Sequence, residues 1–395
     1  MTDRREVWIT GVGLLTCLGE GLEANWDFFE RGEPPPYDDK SFAPYIVHPL
    51  PPVNFDKQIP KKGDQRQMEM WQRIGVYAAG LALDDAGLSR KADLLDHTDM
   101  IVAAIGGERD VPVDAAIIAG AHGADKPGAF LNERLMSDLR PTLFLAQLPN
   151  LLAGNISIVH GVVGSSRTLL GEESAGVDAI RIAQARVAAG QSEVTLVGGA
   201  SHGARWDLLL GFELGGAPLK DKFVPVWDRG PEGGIAYATL GAFLVLESSE
   251  HALARGARPR AQIFAVSSER NRRQQGAIEA TLAGEWEAIA ARVERFHAGI
   301  LSGASGLEPA TSAERRILAK FGLPVRNTGT YIGHGVEAQF AANLAIGCTL
   351  LEHGKLMPPT GSGDGGESPP SLEQLVVTSV GAWRGEGLAL ITRVH

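Results

Sequence analysis

Glu172 and Glu173 open the segment LLGEESAGVDAI, and His334 stands in the glycine-flanked turn IGHG ahead of an alanine-rich stretch. A carboxylate and an imidazole brought together can share general acid/base work when their separation and pKa values suit. The two acids also fit a plainer role, because the first turn of a helix stabilises negative charge through its free N–H groups and macrodipole. His334 likewise fits an inherited core or turn histidine. Cys17 in GLLTCLGEG and Cys348 in ANLAIGCTLL sit in apolar runs and read as small packed hydrophobes, with no exposed turn or nearby base to make a reactive thiol. The remaining histidines are dispersed without metal-ligand spacing, so no metal is expected. Gly106–Gly107 and Gly198–Gly199 lack both phosphate-cradling patterns and read as tight strand exits, so no cofactor is expected either. The cluster ERNRRQQ, with Arg270, Arg272 and Arg273, is a solvated loop first and a docking surface for an acidic protein second.

These residues need a scaffold, and the chain alternates strand-like and helix-like runs that supply one. EVWITGVG at 6–13, DMIVAAIGG at 99–107 and EVTLVGGAS at 193–201 read as strands; RIGVYAAGLALDDAGL at 73–88 reads as a helix. Val177, Ile180, Ala183 and Val187 recur at spacings of three, three and four, which predicts a buried helix over 174–189 closed by Gly190. Strands separated by helices predict βαβ crossovers, a mainly parallel sheet and an α/β class. A strand-first series restarts near Arg260 with AQIFAVSSE, which suggests two similar halves, 1–250 and 251–395. GSGDGGESPP at 361–370 reads as a flexible surface loop, and the prolines at 34–36 and PLPP at 49–52 as an irregular excursion.

With 395 residues, 44% of them hydrophobic, the chain can bury a large core, which excludes disorder. Its net charge of −10 argues against broad affinity for nucleic acid or anionic membrane. No signal-peptide layout opens it and no apolar run reaches the roughly 18 residues of a membrane span, so membrane insertion is not expected and a cytoplasmic location is.

Blocks in order over nearly the full length resemble the type II β-ketoacyl-ACP synthases of the thiolase superfamily. They are ITGVGLLTCLGEG with NWDFFERGEPP, DQRQMEMWQRIGVYAAGLALDDAGL, PNLLAGNISIVHGVVG, VTLVGGAS, PVWDRGPEGG and GAFLVLESSEHALARGA. The resemblance implies a thiolase-like fold in which two similar βαβ-rich halves form a layered α-β-α-β-α core. It also implies a condensing cysteine on a strand-to-helix elbow, two histidines, a lysine and a gating phenylalanine.

Here the sequence departs from that pattern. Glu173 takes the cysteine's position, Gly303 in LSGASGLEP that of the first histidine, and Gly329 in NTGTYIGHG that of the lysine, while the second histidine is kept as His334. GAWRGEG at 381–387 replaces the gate, and YATLG at 237–241 replaces the family's Gly-Asp-Gly-Ala. A nucleophile and its stabilisers act as a unit, so no certain catalytic residue remains and condensation by this chain alone is expected to be negligible. Glu172, Glu173, His334, Trp383 and Arg384 are the expected lining of the old acyl pocket. Glu173 there is a fixed anion that could pair with Arg384 or Arg167.

The resemblance extends to the degenerate chain-length-factor subunits. It implies a non-condensing partner of an active ketosynthase in fatty-acid or polyketide synthesis, paired as a heterodimer or with itself through an interface beside the elbow. An acyl carrier protein would dock on Arg270, Arg272 and Arg273. Two alternatives stay open: an autonomous decarboxylase or thioesterase-like enzyme using Glu173 and His334, and a still-active 3-oxoacyl-ACP synthase.

Overall fold

Val7–Thr16 (β1) is buried along its whole length, because a helix lies directly on one of its faces. A Cβ on Gly13 would fall 1.9 Å from Ala78 O, so only glycine lets the helix Met70–Asp85 (α1) approach so closely. The computed structural model describes residues 5–139 and 142–395. After α1 come Asp99–Ala103 (β2), helix Leu151–His160 (α2), Ser166–Leu169 (β3), helix Glu173–Ala188 (α3), Val194–His202 (β4) and Tyr237–Ser248 (β5). The second series is Ala261–Glu269 (β6), helix Ala277–Ile289 (α4), Ala298–Ser302 (β7), helix Ala310–Phe321 (α5), Val325–Asn327 (β8), helix Gln339–His353 (α6), Gln374–Val380 (β9) and Glu386–Thr392 (β10).

The strands run in the order β8-β7-β9-β10-β6-β1-β5-β4-β2-β3. On one side β2 pairs in parallel with β3 and β4, and β5 is antiparallel to β4 and β1. On the other, β7 pairs in parallel with β8 and β9, and β10 is antiparallel to β9 and β6. The two runs therefore have one topology, and their strands join where β1 pairs with β6 at Trp8↔Gln262 and Ile9↔Ala261. The sheet is mixed, which corrects the mainly parallel expectation. Where a helix crosses between neighbouring strands they run parallel; the β9–β10 hairpin and the return from β4 to β5 reverse direction, and hydrophobic periodicity carries no record of direction.

α3 and α6 form the middle layer. Val177, Ile180, Ala183 and Val187 are buried at the spacing read from the sequence, and α6 is buried from Gln339 to Leu351. Both helices share one apolar cluster with strands of both runs. α1 and α2 cover one outer face and α4 and α5 the other, giving the five-layered α-β-α-β-α core. Gly190, at φ +69°, ends α3, its N–H donating to Val187 O at 3.0 Å.

The 361–370 loop has no regular structure, but it is pinned. Asp364 Oδ1 accepts from Trp227 Nε1 at 2.9 Å and from Asn327 N at 3.0 Å, and Oδ2 accepts from Thr360 N and Oγ1 at 2.8 and 3.0 Å. Composition alone could not show this anchor. Asp364→Ala would strand the indole and amide donors and is expected to cost about 1–3 kcal/mol in chemical denaturation.

Candidate functional site

Gly171, at φ +152°, turns the chain sharply from β3 into α3 and makes Glu173 the first residue of that buried helix. Glu172, the residue before it, makes no side-chain capping bond, and Glu173 stands in the helix's first turn. His334 comes from the other run. Its N–H donates to Ala236 O and its carbonyl accepts from Ala238 N, both at 2.9 Å, which fixes its turn against the start of β5. His334 Nε2 and Glu173 Oε1 lie 3.0 Å apart, with side chains 2% and 3% exposed. Ala382 N, in the β9–β10 hairpin, donates to the same oxygen at 3.3 Å. Three segments from both runs thus converge on one carboxylate oxygen.

Glu172 faces outward. Arg384 Nε and its terminal nitrogen donate to the two Glu172 oxygens at 3.0 and 3.3 Å, and the guanidinium holds this carboxyl below the ordinary carboxylate range. The expected Glu173–Arg384 pair is therefore corrected: Arg384 binds Glu172, while Glu173 binds His334. Arg167 is exposed on β3 and does not serve as Glu173's partner. Trp383 does not line a buried pocket. It is 39% exposed and stacks on Phe212 at 5.5 Å, which stacks on Tyr237 at 4.9 Å, so the rings form a column from the surface to the buried site.

Gly303 follows β7 where no side chain fits: a Cβ would lie 2.6 Å from Thr378 O and 3.0 Å from Asn343 Nδ2. Beside it, Glu314 Oε1 accepts from Ser302 Oγ at 2.8 Å and Thr378 Oγ1 at 2.5 Å, and burial pushes the Glu314 carboxyl up to about 7. A Cβ on Gly329 would meet Ala304 O at 3.0 Å and Val226 at 3.2 Å, also tight quarters.

The three arginines proposed for docking differ. Arg270 is exposed and bonds Asp178 at 2.9 Å, and Arg272 is exposed. Arg273 is committed inward, pairing with Glu386 and donating to Gly381 O at 2.7 Å, so it supports the β9–β10 hairpin rather than a free docking surface. Cys17 Sγ lies 3.7 Å from His48 Nδ1, a neighbour the sequence reading did not foresee; both are buried, and burial raises the thiol pKa and lowers the imidazole's to about 3. Both cysteines are free and buried.

Sequence reasoning missed Tyr237, Glu337 and the buried chain Gln339–Thr328–Asn343. In that chain Asn343 Oδ1 accepts from Thr328 Oγ1 at 2.6 Å and Gln339 Nε2 at 2.9 Å. Gln339 and Asn343 fall four apart in the apolar first three turns of the helix, a signal that one polar face was needed there. Among the described residues, no group of three His, Cys, Asp or Glu is placed to hold a metal ion, and no helix is long and apolar enough to cross a membrane.

A five-layered core whose two central helices meet beside a strand-to-helix elbow is the thiolase-like ketosynthase fold. Residues 4–252 match the model of the Beta-ketoacyl synthase, N-terminal domain, and the chain belongs to the β-ketoacyl synthase family. It is 27% identical over 282 residues to 3-oxoacyl-[acyl-carrier-protein] synthase 2 of Vibrio harveyi, a match covering 68% of this chain but only 64% of that relative's length. It is 24% identical over 389 residues to the Oxytetracycline polyketide putative beta-ketoacyl synthase 1 of Streptomyces rimosus, covering 91% of this chain and 87% of the relative. Among solved structures it superposes on the ishigamide ketosynthase/chain length factor, with a TM-score of 0.79, 21% identity, and 99% and 100% of the two chains covered. A Beta-ketoacyl synthase from Burkholderia phymatum STM815 gives 0.82 at 20% identity, again over 99% and 100%.

Proposed function

We propose that this chain is a non-condensing partner subunit of an active ketosynthase, shaping the tunnel for a long acyl or polyketide chain in the manner of a chain-length factor. One observation carries the reading. At the elbow where a sulfur nucleophile is needed, the buried Glu173 carboxylate is bound to His334 and Ala382 N, and a carboxylate cannot carry the acyl thioester. The packing around Gly303 supports it, because an imidazole has no room there.

The surface beside the elbow favours a partner. β3 is the last strand of the sheet, pairing on one side only, and Ile158, Val163 and Leu170 are exposed around it. A groove of about 660 Å³ runs between β3 and α2, walled in part by Ala153, Val163 and Leu170. An unpaired edge with apolar flanks suits strand pairing across a dimer. The partner is an intact ketosynthase or, failing that, a second copy; an acyl carrier protein meets the complex near Arg270 and Arg272, and the assembly works in the cytoplasm.

Reconstitution tests this. Co-expressed with a ketosynthase bearing its cysteine and both histidines, the chain should co-purify, and long-chain product should form only when both are present. A purified chain that condenses acyl-ACP with malonyl-ACP alone, at the rate of an intact synthase, would end the proposal. The Glu173–His334 hydrogen bond favours a second reading, an autonomous decarboxylase or thioester hydrolase built on that pair. That enzyme would turn over malonyl or acyl thioester without any partner.

A further inference from the structure

A hollow at the far end of the sheet from Glu173 takes no part in the readings above. Trp8 on β1 helps wall it and pairs with Glu247 near the end of β5, whereas His334 bridges to Tyr237 at that strand's start. The length of β5 separates the two places, on the order of 30 Å. The hollow measures about 370 Å³ and lies on the seam between the two strand runs, where Arg260 N donates to Ile9 O at 2.7 Å. Arg258 and Arg260 come from the turn before β6, Glu352 from the last turn of α6, and Arg393 directly follows β10.

The lining joins two chemistries. Leu253 is 66% exposed, and Trp8, Pro259 and Val394 border the same space, so apolar surface there is left to be covered. The three arginines make the rest cationic, on a chain whose net charge is −10. They are not equally engaged. Arg260 is fully committed, with Nε and one terminal nitrogen on Asp85 and the other on Glu352 at 3.0 Å. Arg258 gives a single terminal nitrogen to Glu352, at 2.7 Å, and its side chain is 73% exposed. Arg393 makes no side-chain hydrogen bond among the described residues, and its ion pair with Glu373 is 3.8 Å long.

Glu352 is thus the one carboxylate lining a hollow bordered by three guanidinium groups, two of which keep most of their donors free. Cations are also drawn to the free carbonyls at a helix C-terminus, and α6 ends here. That attraction does not account for the pair, because among the described residues neither Arg258 nor Arg393 bonds a carbonyl of α6.

We propose that this hollow binds a small amphiphilic anion, a carboxylate on a short hydrocarbon chain, with its head at Arg258 and Arg393 and its chain along Leu253, Pro259 and Trp8. The guanidinium fork matches a carboxylate in shape and gives charge-assisted bonds to it. Glu352 selects the head group, since a phosphate monoester brings about two negative charges toward that carboxylate and a fatty acid only one. The space holds about a dozen water-sized groups, which suits an acid of about eight carbons.

Calorimetric titration of the isolated chain with octanoate, octanol and octyl phosphate tests this. Octanoate should bind one to one, at least about tenfold more tightly than octanol and more tightly than octyl phosphate. Each methylene from hexanoate to octanoate should tighten binding by up to about fourfold. Arg258→Gln and Arg393→Gln should each weaken octanoate by about tenfold or more. Leu253→Asp should weaken it similarly, and octanoate should raise the parent's Tm without raising that of the double arginine variant.

No saturable binding below about 10 mM overturns the proposal. So does octanol binding as well as octanoate, octyl phosphate binding better, or octanoate binding unchanged in the double arginine variant, which would place the acid elsewhere. All three substituted side chains are exposed, so a variant that fails to fold shows a structural role instead and also overturns it. None of these readouts involves a partner subunit, Glu173 or condensation, so their failure leaves the subunit reading standing and its failure leaves them intact.

Discussion

Glu173→Ala is expected to lower the stability of the isolated chain by about 1–3 kcal/mol, because it leaves the buried His334 and the Ala382 N–H without their acceptor. Chemical denaturation measures it, and a loss below about 1 kcal/mol would place the pair with exposed, weakly coupled ones. Glu173→Gln separates stability from function. The amide keeps an oxygen for Ala382 N and a neutral contact to His334, so a subunit that only shapes a tunnel keeps supporting its partner's product formation, whereas an acid/base enzyme built on Glu173 loses its turnover.

Glu173→Cys is expected to leave condensation at least about 10²–10³-fold below an intact synthase, although it returns sulfur to the elbow. The thiol would meet one histidine, with Gly303 and Gly329 standing where the resemblance sets the other stabilisers. Adding those groups back is blocked by packing, since even a methyl group at Gly303 would collide with Thr378 O. Assay with acyl-ACP and malonyl-ACP, with mass spectrometry of the introduced thiol, decides the matter. Condensation at a synthase's rate by this single substitution would show that the other departures are harmless.

The fold was largely legible because it is written in local patterns. The spacing of Val177, Ile180, Ala183 and Val187, and the strand run at Ala261, describe elements that form where they were read. Strand direction was not legible, because a strand carries the same hydrophobic signature whichever way it runs. The site was legible in part. Glu173 and His334 stood out as residue types, but 161 positions separate them, and no pattern in one sequence marks that pairing.

The exchange of partners between Glu172 and Glu173 has a simple geometric cause. Glu172 precedes the helix with a non-helical ψ of −143° while Glu173 is its first residue, so the two side chains leave in different directions: one carboxylate enters the core and the other meets Arg384. Which is which depends on the helix's roll against β9 and β10. Glu337 was passed over because an isolated acid at the head of an alanine-rich helix reads as solvated, and only burial shows otherwise.

The open side of β3 also bears on how such a chain must be made. A bare row of peptide groups flanked by greasy side chains is a template for indiscriminate strand addition, so molecules synthesised in excess of whatever normally covers that row are drawn toward aggregates and inclusion bodies. On the proposed subunit reading, balanced dosage of the two polypeptides, with association during or soon after translation, is the arrangement this surface favours.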